Sequence, residues 1–285
     1  MTAQEFAAHS FATSESTASS ASAKAEMPRE FGFELPVKVR RVAVDRSSHW
    51  LAQGWNDVWR APAISLAYGA AFVVVSYILT FGLFNAGLSS LILPLAGGFV
   101  LIAPILVIGL YEVSRRLDAG ERVSFGVVWQ KVASRADDIF SMGVVMLLFT
   151  FVWTAIAVIL FALFYSDGVP MMDFSELVMG MLFTPRGAMF IVVGGAMGAI
   201  LATGIFTITA ISIPMLLHRN VDVITAIVTS MVAVRANWRP MFGWAAMIAV
   251  ITFVSLACFF IPLIVALPTL AFATWRAYND LVAEG

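Results

Sequence analysis

Apolar residues in this chain come in long unbroken blocks. Four of them, roughly Ala63 to Leu110, Ile139 to Tyr165, Met189 to Leu217 and Met241 to Trp275, contain no ionised side chain. A helix that crosses a bilayer needs about 20 apolar residues, so the pattern predicts a polytopic membrane protein. The first block divides near Asn85, Gly87, Ser89 and Ser90, which gives spans over 63–86 and 90–112. The next two spans fall at 139–164 and 188–217, with a loop from Ser166 to Gly187 between them. The last block fits either one long tilted span or two helices, 241–259 and 261–279, joined by a tight turn near Phe259 to Pro262.

Shorter amphipathic stretches lead into these spans. From Ser124, Phe125, Val128, Trp129, Val132 and Ala136 recur at helical spacing, with Gln130, Lys131, Arg135 and Asp138 elsewhere. A later stripe joins Ile224, Ile227, Val228 and Met231, with Asn220 or Asp222 as candidate N-cap. A weaker copy over Ser48 to Arg60 aligns Leu51, Trp55, Val58 and Trp59. Val132, Ala133, Arg135 and Ala136 reappear 100 residues later as Val232, Ala233, Arg235 and Ala236. Pro104, Pro214 and Pro268 each fall shortly before the end of a second span. The pattern therefore predicts an all-α bundle of six transmembrane helices, built from three units of amphipathic helix, span, span.

Charge then orients the bundle. The chain is 60% hydrophobic and 12% charged, with a mean hydropathy of +0.90, far from the composition of a soluble domain. Basic residues in short loops mark the cytoplasmic side. They precede the first span (Lys38, Arg40, Arg41, Arg46, Arg60), follow the second (Arg115, Arg116, Arg122, Lys131, Arg135) and follow the fourth (His218, Arg219, Arg235, Arg239). The 166–187 loop instead carries Asp167, Asp173 and Glu176 against Arg186. The N-terminus is thus expected inside, and Arg276 favours an inside C-terminus, which requires six spans. Residues 1–37 open with a Ser/Ala/Thr-rich stretch and are expected to form a disordered cytoplasmic tail; residues 38–285 form the membrane domain.

Chemistry is harder to find. Proton relays and metal or haem sites inside a bilayer use ionisable side chains facing the bundle, and the spans offer none at mid-depth. Neither a Walker loop, a nucleophile elbow, HExxH nor a Cys/His cluster occurs, and adjacent Asp137 and Asp138 diverge on a helix. The reading is a non-enzymatic protein with no cofactor and no nucleic-acid footprint. Cys258, the sole cysteine, is read as a packing residue. Arg60, Arg115, Arg116, Arg135, Arg235 and Arg239 are candidate headgroup contacts, with Glu112 bridging to Arg115 or Arg116 as the alternative for that pair. Trp50, Trp55, Trp59, Trp129, Trp238, Trp244 and Trp275 are read as an interfacial belt. Gly194 and Gly198 form a small-xxx-small pair for helix packing, inside the chain or against a homo-oligomer or another membrane protein. A transporter of a neutral or lipid-like solute would instead need a cavity among the proline-containing spans, bordered by residues such as Ser76, Asn85, Thr203 and Thr207.

The stretches Val39 to Pro62, Gly109 to Glu121, Ile211 to Met241 and Leu267 to Val282 resemble the predicted integral membrane proteins gathered as the family DUF2189. The resemblance implies a multi-span bacterial inner-membrane protein and supplies no activity. Ala271-Phe272 departs from the Gly-His common at that place in the family. Some members are labelled putative cytochrome c oxidase subunits. Three histidines, His9, His49 and His218, cannot furnish the imidazole ligands of a haem-copper subunit, so an accessory role beside an oxidase is what that label leaves. A scaffold or assembly factor for a membrane complex is the leading expectation.

Overall fold

The computed structural model describes residues 29–30, 33–34, 37–88, 91–165 and 174–282. Of the expected tail over 1–37, residues 1–28, 31–32 and 35–36 lie outside the described residues, as do the break at Ser89 and Ser90 and Asp167 and Asp173. Arg29–Glu30 (β1) pairs antiparallel with Phe33–Glu34 (β2); the other regular elements among the described residues are helices.

The helices follow the threefold order of the sequence pattern. The first unit is α1 (Arg46–Arg60), α2 (Pro62–Asn85) and a second passage formed by α3 (Ile92–Leu106) and α4 (Ile108–Asp118). The second unit is α5 (Phe125–Ala133), α6 (Ala136–Phe164), α7 (Phe174–Phe183), then α8 (Pro185–Thr209) continued by α9 (Ser212–His218). The third is α10 (Val223–Ala236), α11 (Trp238–Ala257) and α12 (Leu263–Leu281). Among the described residues, five passages are long and apolar enough to cross a membrane: Pro62–Asn85, Pro94–Asp118, Ala136–Phe164, Pro185–His218 and Trp238–Ala257. α12 has 19 residues, but Arg276 and Asp280 make its second half polar.

Local chemistry explains the breaks. Pro104 lacks an N–H and so frees the Val100 carbonyl inside α3, and α3 gives way to α4 at Val107. Asp222 caps α10 by accepting from the Thr225 backbone N–H at 3.0 Å, as expected. The last block is two helices, with the turn over 258–262 where the sequence suggested it. Phe259 and Phe260 adopt left-handed φ of 56° and 65° there, an unfavourable state for side chains of this size. The Tyr77 hydroxyl holds the turn by donating to the Phe259 carbonyl at 2.6 Å. Cys258 is exposed in this turn, not packed in a span as the sequence suggested, because the chain reverses at that point. The 166–187 connection likewise differs from a plain loop, since its second half forms α7; Thr184 then caps α8 by accepting from the Gly187 N–H at 3.0 Å.

α12 is the axis of the assembly. It is buried along most of its length and packs against α1, α2 and α4. Glycine permits two of these crossings. A Cβ at Gly54 would overlap the Thr269 carbonyl oxygen and Ala273, and one at Gly69 would overlap the Ile264 carbonyl. Pro268 leaves that same Ile264 carbonyl without its helical donor, so a backbone with no side chain lies against it. Farther out, Trp153 on α6 packs against Gly97 on α3 and Gly198 on α8 and donates to the Pro94 carbonyl at 2.8 Å.

The segment that leads into α1 and the end of α12 meet at one end of the bundle. Val39 bridges Val282, and Arg40 N donates to the Leu281 carbonyl at 2.8 Å. The Asn237 side chain adds a tie, accepting from Val42 N and donating to the Arg40 carbonyl, both at 2.9 Å.

Candidate functional site at the polar end

Carboxylates organise this end. Asp57 on α1 is 2% exposed, placed inward by the Trp50, Gly54, Asp57 face that α12 covers. Its Oδ2 accepts from Arg276 Nε and Nη2 at 3.0 and 2.6 Å and from the Ser114 hydroxyl at 3.2 Å. Its Oδ1 takes Arg60 at 2.9 Å. One side chain thus joins α1, α4 and α12. Arg276 also pairs with Asp118 at 2.5 Å, and Asp118 accepts from the Trp275 indole at 3.2 Å.

A second centre is Glu112, which is fully buried. It accepts from Arg115 at 2.8 Å twice and from Arg116 at 2.7 Å, one helical turn away. Glu121 closes the pair from outside, at 3.1 Å to Arg115 and 2.9 Å to Arg116. The Arg115 guanidinium holds the Glu121 carboxyl below its ordinary range. A third tie runs from Arg46 and the Trp50 indole, both donating to Asp280, the latter at 2.7 Å. His218 stacks edge-on against Trp275 and Tyr278, and Arg219 donates to the Tyr278 hydroxyl at 3.1 Å. Charge-assisted bonds of this kind are the strong ones, and removing one partner of a buried pair costs about 3–5 kcal/mol.

The predicted arginines divide accordingly. Arg60, Arg115 and Arg116 serve the collar just described. Arg135 donates to Asn220 at 2.8 Å, joining the second and third units. Arg235 is exposed, and exposed Arg239 lies 5.2 Å over the Trp238 ring. The Glu112 bridge was legible from its spacing; Asp57, Asp118, Arg276 and Asp280 were missed as site residues. Their signal was present in the carboxylates of the same segments whose basic residues were read as anchors.

Gly194 and Gly198 face α6, against Leu160 and Trp153, so internal packing uses them; Gly195 beside them has open space. The tryptophan belt needs correction. Trp55, Trp59, Trp129 and Trp238 are exposed, as a belt requires, whereas Trp50, Trp244 and Trp275 are buried in the core. Trp50 and Trp275 are drawn in by carboxylate acceptors, and Trp244 packs edge-on against Trp50 with ring centres 6.2 Å apart. The amphipathic stripe of α1 is corrected too. Trp55 and Trp59 face outward, while Ser47, Trp50, Gly54 and Asp57 form the buried face with Val58. In a bilayer the large apolar residues can meet lipid, and small or ion-paired ones meet protein.

Above the collar, an apolar cavity of about 140 Å³ lies between α2, α3, α4, α8, α11 and α12. Another, of about 280 Å³, adjoins it and shares Ser76, Phe99 and Leu256. Of the four residues suggested as borders of a solute route, Ser76 lines both, while Asn85, Thr203 and Thr207 line neither.

Residues 92–218 match the model of the DUF2189 family, described as a predicted integral membrane protein. The match covers Gly109 to Glu121, with its Glu112 pair, and leaves the α1 and α12 stretches outside. No curated protein and no solved structure matches the chain.

Proposed function

We propose that this chain, carrying a DUF2189 region, is a non-enzymatic scaffold of the bacterial inner membrane, spanning it six times with both ends in the cytoplasm. The observation that carries this reading is the collar. Asp57, Glu112, Asp118 and Asp280 are each engaged by basic side chains, and Asp57, Asp118 and Asp280 tie separate helices together. Groups engaged in that way hold a shape. The six-span count draws on the Val39–Val282 bridge, since ends that meet on one face imply an even number of crossings. The polar half of α12 is compatible with this count because α1 and α4 cover it.

What the shape presents is the outer flank of α6 and α8. Phe151, Val158, Val192 and Ile200 are all exposed there, and the partner on this reading is another membrane protein or a second copy of the chain, packed beside lipid. A photo-crosslinking benzoylphenylalanine at position 151 or 192 tests this in native membranes. The scaffold reading predicts a discrete protein adduct. An adduct of twice the chain mass identifies a homo-oligomer, and one with an oxidase subunit identifies the accessory role. Lipid adducts alone at both positions would contradict it. A second reading, transport of a neutral or lipid-like solute, is favoured by the central cavity; it requires that cavity to open in turn to the two sides of the membrane.

A further inference from the structure

Trp244 brings to the central cavity a buried polar group with no hydrogen-bond partner among the described residues. Phe72, Phe99, Pro104, Ile248, Leu267 and Ala271 contribute the cavity's walls, and among the described residues no charged side chain borders it or its neighbour. Of the five hydroxyl side chains that line it, Tyr111 and Thr252 among them, three are committed to their own helices. Ser76 donates to the Phe72 carbonyl at 2.9 Å, Thr209 to Ile205 at 2.7 Å and Thr274 to Leu270 at 2.8 Å. These hydroxyls retain lone pairs but have no proton to give.

Trp244 differs. Its side chain is fully buried and borders the cavity, and its indole N–H has no hydrogen-bond partner among the described residues. The other deeply placed indoles do have acceptors: Trp50 in Asp280, Trp153 in Pro94 and Trp275 in Asp118. Buried donors are normally paired, so an unpaired one on a side chain that lines unfilled space marks where an acceptor would be favoured. The adjoining cavity leads outward between α2, α3 and α6, reaching Leu79 and Leu95, which are exposed on the bundle surface.

We propose that these two cavities form a binding site for a neutral, mostly apolar molecule of the bilayer that carries a carbonyl. The carbonyl accepts the Trp244 N–H, and the hydrocarbon tail lies in the outer cavity toward the gap between α2 and α3. The inner space is close to that of an apolar cavity of about 150 Å³ that takes up benzene, so it accommodates the carbonyl and a few carbons. A phospholipid headgroup is disfavoured, because among the described residues no cation borders the space to meet a phosphate. The site is independent of the scaffold reading and stands or falls separately.

The test uses the full chain purified in a mild maltoside detergent and two photoreactive probes of equal length. One is a palmitic acid methyl ester with a mid-chain diazirine; the other is the matching hydrocarbon without a carbonyl. The site predicts saturable ester adducts on cavity residues such as Phe72, Phe99 and Ile248. Trp244→Phe should weaken ester labelling by roughly threefold to tenfold, the worth of one hydrogen bond, and leave hydrocarbon labelling unchanged. Ala103→Phe keeps the N–H and fills the cavity, so it should abolish both. Adducts confined to lipid-facing residues such as Phe151 and Val192, hydrocarbon binding as tight as the ester in the native chain, or equal labelling in Ala103→Phe would each overturn the proposal.

Discussion

Asp57 shows what a single side chain does here. It is 2% exposed and holds Arg60, Ser114 and Arg276 at once. Replacing it with Ala leaves Arg276 with Asp118 alone, in a half-dry setting. Breaking such a pair should cost about 3–5 kcal/mol, seen as a lower thermal midpoint of the purified chain. Asp57→Leu combined with Arg276→Leu should recover part of that loss, because both charges are then gone; an unaltered midpoint in Asp57→Ala would remove the collar from the account. The partners lie 219 residues apart, which is why no local pattern announced them. Glu112 with Arg115 and Arg116 was legible because i to i+3 and i to i+4 neighbours meet on any helix. The tryptophans divide for the same reason. A belt position follows from sequence, but burial of Trp50 and Trp275 depends on Asp280 and Asp118 arriving from other segments.

Among elements, the contacts that decide the packing are glycine crossings. Gly54→Ala and Gly69→Ala should each destabilise by about 1–3 kcal/mol through overpacking, since the atoms in the way are the Thr269 and Ile264 backbone carbonyls. Gly195→Ala, with open space around it, should be neutral. A thermal-shift series on the three variants checks this, and equal midpoints would mean that α12 does not pack as described. The helices themselves, the three-unit order and the reversal near Phe259 to Pro262 were readable from apolar block length and the recurring stripes. Which face of α1 turns inward was not, because lipid accepts large apolar residues as readily as a core does. The hydrophobic stripe, a reliable guide in water, therefore pointed outward with Trp55 and Trp59.

At the scale of the molecule, three helical hairpins return to one polar end, where Val39 meets Val282, with the 258–262 turn at the other. Basic residues indicated the side of each loop, but a lone Arg276 left the last block open to a single tilted span. The native chain carries its own reporter, because Cys258 is the sole cysteine and lies exposed in that turn. Intact cells treated with a membrane-impermeant maleimide should label Cys258 from outside. In Cys258→Ser carrying Gly285→Cys, labelling should require permeabilisation. A shielded Cys258 together with a cysteine at 285 that reacts in intact cells would mean that the last block crosses once, and would contradict the three-hairpin architecture.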